Sequence, residues 1–375
     1  MRLFRLWWLI LLVVTEPSLG QPSDLTYGHV AVWHHGRPVV KSVLLPQSIP
    51  GRVLATPILQ VNPVPDNLQP TSENCYCYDV NDDRLAAVHA FYYAHNAIAN
   101  YNQILRELKL PQLRDTVLTL VKESAAPTMG ATSSRKTAQI LLRYSSPAID
   151  PFTIDREVGR AVLQMLLPHF RWRTTASDSA LSPRLRAEED GMEEGTANIL
   201  AALELGTSGS LAQTTDTLDA PIVQDVDTFV RFPDVVVTRR QIVKEFIQSP
   251  RFAARYSFYV SKLLKQLDDP ALNDYLNQLD PNVASAIINQ PIWQVAVRYG
   301  FRSAKILVLR ALGSWSSPDY SYVAFGRELV MQAQIMGSKW ADVLSEEYQR
   351  RGLPVPDSRL ELKVPENATQ ATQVR

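Results

Sequence analysis

Asp155-Arg156-Glu157-Val158-Gly159-Arg160-Ala161-Val162 is the stretch on which the reading of this chain turns. Ile154, Val158, Ala161/Val162 and Met165 recur at the three- and four-residue spacing of one helix face, which predicts an amphipathic helix over 154–167. Arg156 and Arg160, four residues apart, fall on one side of that helix, with Glu157 between them. Further along, Glu188 to Leu205 predicts another helix, ended by Gly206 and Gly209, on which Glu194 and Asn198 share a face. Taken alone, the first helix is better read as a surface helix with two ordinary solvated arginines. The rest of the chain bears on that choice.

After Val237 the pattern is helix upon helix: 238–249, 251–267, 270–278, 281–288, 291–298, 301–314, 318–336 and 338–351, punctuated by Pro and Gly. Ahead of Asp155 the pattern is mixed. His29 to Trp33 and Val39 to Leu45 are short β-branched runs separated by turn residues, and Ala138 to Tyr144 is another strand-like run. Between them a long helix is predicted over 82–108, capped by Asp82 or Asp83, with Leu85, Val88, Tyr92, His95, Ile98/Ala99 and Leu105 inward and Phe91-Tyr92-Tyr93 as core. Residues 171–187 read as an exposed loop. The fold class expected is α+β: a mixed sheet and helix part followed by an all-helical part. The divisions are a β-rich segment at 21–80, an α+β lobe at 81–206, a linker at 207–236, a helical lobe at 237–353 and a tail at 354–375.

Residues 1–20 read as an export signal, with Arg2 and Arg5 leading, an apolar run from Leu6 to Val14, and Ser18-Leu19-Gly20 as a small-x-small cleavage site. No other stretch is apolar enough to span a bilayer. The 375 residues are 46% hydrophobic, and Lys+Arg balance Asp+Glu at 38 each, so there is no basic excess to draw nucleic acid. The only cysteines, Cys75 and Cys77, form a C-x-C that reads either as a strained small-ring bridge or as free thiols. His89 and His95 are six apart and cannot ligate one metal from one straight helix.

With these elements in order, the chain resembles the thermolysin-like and fungalysin-like zinc peptidases, the gluzincins, over roughly residues 84–352. Ala87 to Asn96 resembles their Ala-His-Tyr-Tyr-Ala helix, and Ala138 to Tyr144 stands where an edge strand would pair with substrate backbone. Arg156-Glu157-Val158-Gly159-Arg160 stands where the zinc helix His-Glu-x-x-His belongs. Glu194 to Asn198 is similar to Glu-x-x-x-Asp, which supplies the third zinc ligand. Gly300 to Leu312, Ser316 to Tyr320, Gln332 to Ser338 and Val343 to Gly352 resemble the family's C-terminal helices and turn. The resemblance implies a zincin-like two-lobed architecture with a cleft between the lobes.

The departures decide the chemistry that the resemblance implies. Arginine stays protonated and has no lone pair for a metal. With Arg156 and Arg160 in the ligand positions, only the Glu194 carboxylate remains, so no metal and no other cofactor is expected. Glu157 keeps the general-base position without a metal-bound water to activate. The family also uses a histidine from the helical lobe, and here the last histidine is His169. The degenerate site is therefore Arg156, Glu157, Arg160, Glu194 and Asn198. A guanidinium, from Arg156 or Arg160, is expected to occupy the metal's volume and pair with Glu194 and with Glu157.

The functional expectation is an exported, catalytically inactive metallopeptidase-like protein that binds a peptide or protein along the cleft or serves a structural or regulatory role. Two alternatives stand beside it. One is an active secreted hydrolase or metallopeptidase that uses the clustered carboxylates Asp155, Glu157, Glu193 and Glu194, or metal ligands not identified among these residues. The other is a secreted interaction protein whose likeness to the peptidases is accidental.

Overall fold

The computed structural model describes residues 25–34, 37–72, 74–122, 138–144, 146–168, 183–209, 270, 285–316 and 321–355. The expected export signal, most of the 207–236 linker, the helices expected at 238–249 and 251–267, all but Pro270 of that at 270–278, and the tail beyond Val355 lie outside them. The architecture is α+β, with two three-stranded sheets and seven helices among the described residues.

Strand β1 (Tyr27–His34) pairs antiparallel with β2 (Arg37–Leu44), and its other edge takes the short parallel strand β4 (Cys75–Tyr76). The structure places Cys75 and Cys77 as a disulfide. The second sheet runs β3 (Leu59–Val61), β5 (Thr116–Lys122), β6 (Gln139–Tyr144), all parallel. Strand β3 comes from the 21–80 segment and β5 and β6 from 81–206, so the two segments share a sheet. Leu118, Ile140 and Leu142 alternate inward, as the two-residue period of a strand requires.

Helix α1 (Asp83–Glu107) crosses between these sheets, and Asp82 caps it by accepting from the Arg84 N–H at 2.9 Å. Its buried stripe differs from the expectation. Phe91, Ala94 and Tyr101 are fully buried, whereas Tyr92, Tyr93 and His95 are only half-buried. Small Ala86, Ala87 and Ala90 let the first two turns be enclosed on every side, which turns the inward face relative to the larger side chains. His89, also fully buried, is used as a two-sided hydrogen-bond bridge: Nδ1 accepts from the Ala31 N–H at 3.0 Å, and Nε2 donates to the Ile149 carbonyl at 2.6 Å.

Helix α2 (Pro151–Leu166) starts earlier than the apolar period indicates, because Asp150 accepts from the Phe152 N–H and Pro151 supplies a preset first turn. Helix α3 (Pro183–Leu205) likewise begins at Pro183, inside the stretch expected as exposed loop. Helix α4 (Ala286–Tyr299) runs through Pro291, where two separate helices were expected. The missing amide costs a backbone bond there. Ile287, Ile288, Ile292, Trp293, Val295 and Ala296 nevertheless bury on both sides of it, so packing overrides the break. Helices α5 (Phe301–Ser314), α6 (Tyr322–Met336) and α7 (Ser338–Arg350) follow, with Gly300 at φ +100° making the turn between α4 and α5.

The buried apolar side chains form one connected core from Leu45 to Val355. Inside it sits an ion pair between Lys305 of α5 and Glu204 of α3, and Asn100 of α1 donates to the same carboxylate at 2.6 Å. No helix among the described residues is long and apolar enough to cross a membrane.

Candidate functional site

Helices α2 and α3 pack side by side, and Gly159 sets how closely, while Gly195 does the same between α3 and α4. A Cβ on Gly159 would lie 3.2 Å from the Leu200 Cβ and 3.3 Å from the Ala197 carbonyl oxygen. A Cβ on Gly195 would lie 2.4 Å from the Ser285 Cβ, at the start of α4. Gly195→Ala is expected to lower stability by about 2 kcal/mol, since α4 would have to shift. Denaturant melts that superpose on the wild type would show that α3 and α4 do not meet at this residue.

That close approach brings the arginine of one helix onto the carboxylates of the next. Arg160 Nη1 donates to Glu193 Oε1 at 2.7 Å, and Nη2 donates to Glu194 Oε1 at 2.8 Å. Its Nε lies 3.1 Å from Glu157 Oε2, within ion-pair distance but not aligned as a hydrogen bond. Arg156 completes the row, donating from Nε and Nη2 to Glu157 Oε1 at 3.2 and 3.0 Å. Two guanidinium groups thus serve three carboxylates. The Arg160 side chain is 21% exposed, and those of Glu193 and Glu194 are 10% and 17% exposed. Desolvation works against the charge on Arg160, but Glu157, Glu194 and Glu193 more than reverse this and raise its pKa.

No family model matches this chain, and no curated protein matches it.

Of the residues singled out in the sequence, Arg156, Glu157, Arg160 and Glu194 stand in one cluster, and Arg160 rather than Arg156 reaches Glu194. Asn198 is not part of it. It lies one turn further along α3, 1% exposed, with Oδ1 lacking a hydrogen-bond partner. Glu193 is a full member, although the sequence singled it out only as one acid among several. Among the described residues no group of three or more His, Cys, Asp and Glu has an arrangement able to hold a metal.

Asp155, adjacent to Arg156 in sequence, points away from the cluster into the protein. It is 2% exposed and its Oδ1 has no hydrogen-bond partner. Burial, then the Glu204 charge, raises its pKa well above the usual carboxylate range, against the pull of Lys305. Lys305 and Glu204 escaped notice in the sequence. They are 101 residues apart, and a lysine on a buried helix stripe is the one local hint that a counter-charge must meet it.

Proposed function

We propose that this is an exported pseudopeptidase: a zincin-like, two-lobed scaffold whose metal position is taken by a guanidinium, and which binds a peptide or protein rather than hydrolysing it. The observation that carries the reading is the Arg160 guanidinium engaged by Glu157, Glu193 and Glu194 between α2 and α3. It stands where the resemblance puts a zinc ligand, and its fixed positive charge supports the same helix pair that a divalent ion would. Strand β6 is outermost in its sheet among the described strands, with Leu141 and Arg143 exposed, which suits backbone pairing with an extended peptide. An acid/base hydrolase built on the clustered carboxylates would need them free to exchange protons, whereas Glu157, Glu193 and Glu194 are each committed to a guanidinium and Asp155 stands apart from them.

Elemental analysis of residues 21–375 tests this. The wild type is expected to carry no stoichiometric zinc and to melt identically with and without chelator. The double variant Arg156→His/Arg160→His, which with Glu194 gives a two-imidazole, one-carboxylate set, is expected to take up about one zinc per chain. Stoichiometric zinc in the wild type with a chelator-sensitive melt would overturn the proposal. A folded double variant that ignores zinc would remove the basis for reading α2 as a zinc helix.

A further inference from the structure

A cavity of about 250 Å³ lies between the β1–β2 hairpin and α1, and the Arg160 cluster makes no use of it. Val30, Val32 and Val43 form an aliphatic side, and Tyr92 and Tyr93 stand on the α1 side. The exposed Lys41 of β2 also borders it. Asp155 and Glu204 line the cavity as well, although the polypeptide uses them differently. Glu204 already has a donor on each oxygen, Lys305 on one and Asn100 on the other. Asp155, only 2% exposed, offers a buried Oδ1 that nothing donates to. A carboxyl group placed this way costs stability unless a donor reaches it, and two carboxylates share one lysine in this part of the core. The bare oxygen therefore lacks an N–H donor, and a donor that also carries positive charge would favour the ionised carboxyl that burial opposes.

We propose that this cavity binds a small primary amine, with its ammonium group donating to Asp155 and its alkyl chain lying between the valines and the two tyrosines. An ammonium has three N–H donors: Asp155 takes one, and the Asn96 side chain, which also lines the cavity, provides a further acceptor. The tyrosine rings add attraction for a cation near their faces. The aliphatic side selects a short hydrocarbon body over a fully polar one. The demand for both charge and N–H donors separates a primary amine from two near relatives. A neutral alcohol of equal length lacks the charge, and a quaternary ammonium lacks the donors. This inference does not depend on the pseudopeptidase reading, because Asp155 and the cavity lie apart from the Arg160 cluster.

The test uses the intact chain and n-butylammonium chloride as probe, with 1-butanol, tetramethylammonium chloride and matched sodium chloride as controls, read by thermal melts and titration calorimetry. Only n-butylammonium is expected to give a saturable rise in melting temperature, with one site per chain. Asp155→Asn, which keeps the shape and removes the charge, is expected to weaken binding at least tenfold. Val43→Trp, which fills the cavity from the half-exposed hairpin, is expected to abolish binding and serves should Asp155→Asn not fold. No saturable response to n-butylammonium above the salt control would overturn the proposal. So would an equal response to 1-butanol, which would indicate an apolar hollow only, or undiminished binding by a folded Asp155→Asn.

Discussion

Arg160→Met is expected to destabilise the protein by about 3 kcal/mol at neutral pH, with Glu157, Glu193 and Glu194 left facing one another around an apolar side chain. Removing one partner of a buried ion pair costs about 3–5 kcal/mol. The lower end applies here, because the Arg160 side chain is 21% exposed and water screens part of the repulsion. Glu194→Ala is expected to cost less, about 1 kcal/mol, since Arg160 keeps Glu193 and Glu157. Arg160→Lys falls between: a point-charge ammonium cannot divide itself between two adjacent carboxylates of α3 as the guanidinium fork does. Urea unfolding at neutral pH checks all of this. A loss within about 0.5 kcal/mol, the range of ordinary surface substitutions, would mean that the cluster is ornamental.

Acid is expected to weaken the fold through His89. Its ring is enclosed and already occupied on both nitrogens, and burial pushes its pKa down to about 4, against the opposing hydrogen bond to Ile149. In the unfolded chain the same imidazole titrates near about 6.5. Between those two values the unfolded state binds the extra proton, so stability rises with pH there. The His89 contribution is complete above about pH 6.5, declines as pH falls through the window and levels off below about 4, a total of roughly 3 kcal/mol. Denaturant titrations at about pH 7, 5.5 and 4 measure it. His89→Gln is expected to be less stable at neutral pH by about 1–2 kcal/mol, through imperfect bonding to Ala31 and Ile149, but to lose this pH slope. A slope in the variant equal to that of the wild type would assign the acid sensitivity to other groups.

Where local rules were strong, the elements were legible. The α5 span was anticipated residue for residue, because Gly300 at its start leaves no other boundary. The run Ala138 to Tyr144 was legible as a strand, and β6 spans Gln139–Tyr144. Pro291 misled because a proline counts as a break in sequence, while six apolar neighbours hold the helix together only in three dimensions. Tyr92 was assigned to the core from spacing, yet the alanines of α1 let Phe91 take that place and leave Tyr92 at the cavity. At the site, the one-turn spacing of Arg156 and Arg160 was readable, and so was the presence of an acid on the next helix. The share taken by Glu193 was not. Adjacent residues on a helix point in different directions, and only the placement of Arg160 above the groove between them brings both acids within reach. The unpartnered oxygen of Asp155 left no trace in the sequence, since it depends on what several separate segments fail to supply around it.

The Arg160 cluster also changes the number of bodies involved in closing α2 onto α3. A metal-bridged junction is a three-component assembly whose population follows the free concentration of the ion through mass action. Here the cation is bonded to α2, so its concentration beside Glu193 and Glu194 is fixed by the chain itself and survives any dilution. Under the proposed function the junction is a unimolecular equilibrium, expected to keep the same closed fraction in a zinc-starved compartment as in a zinc-rich one and to need no loading step during maturation.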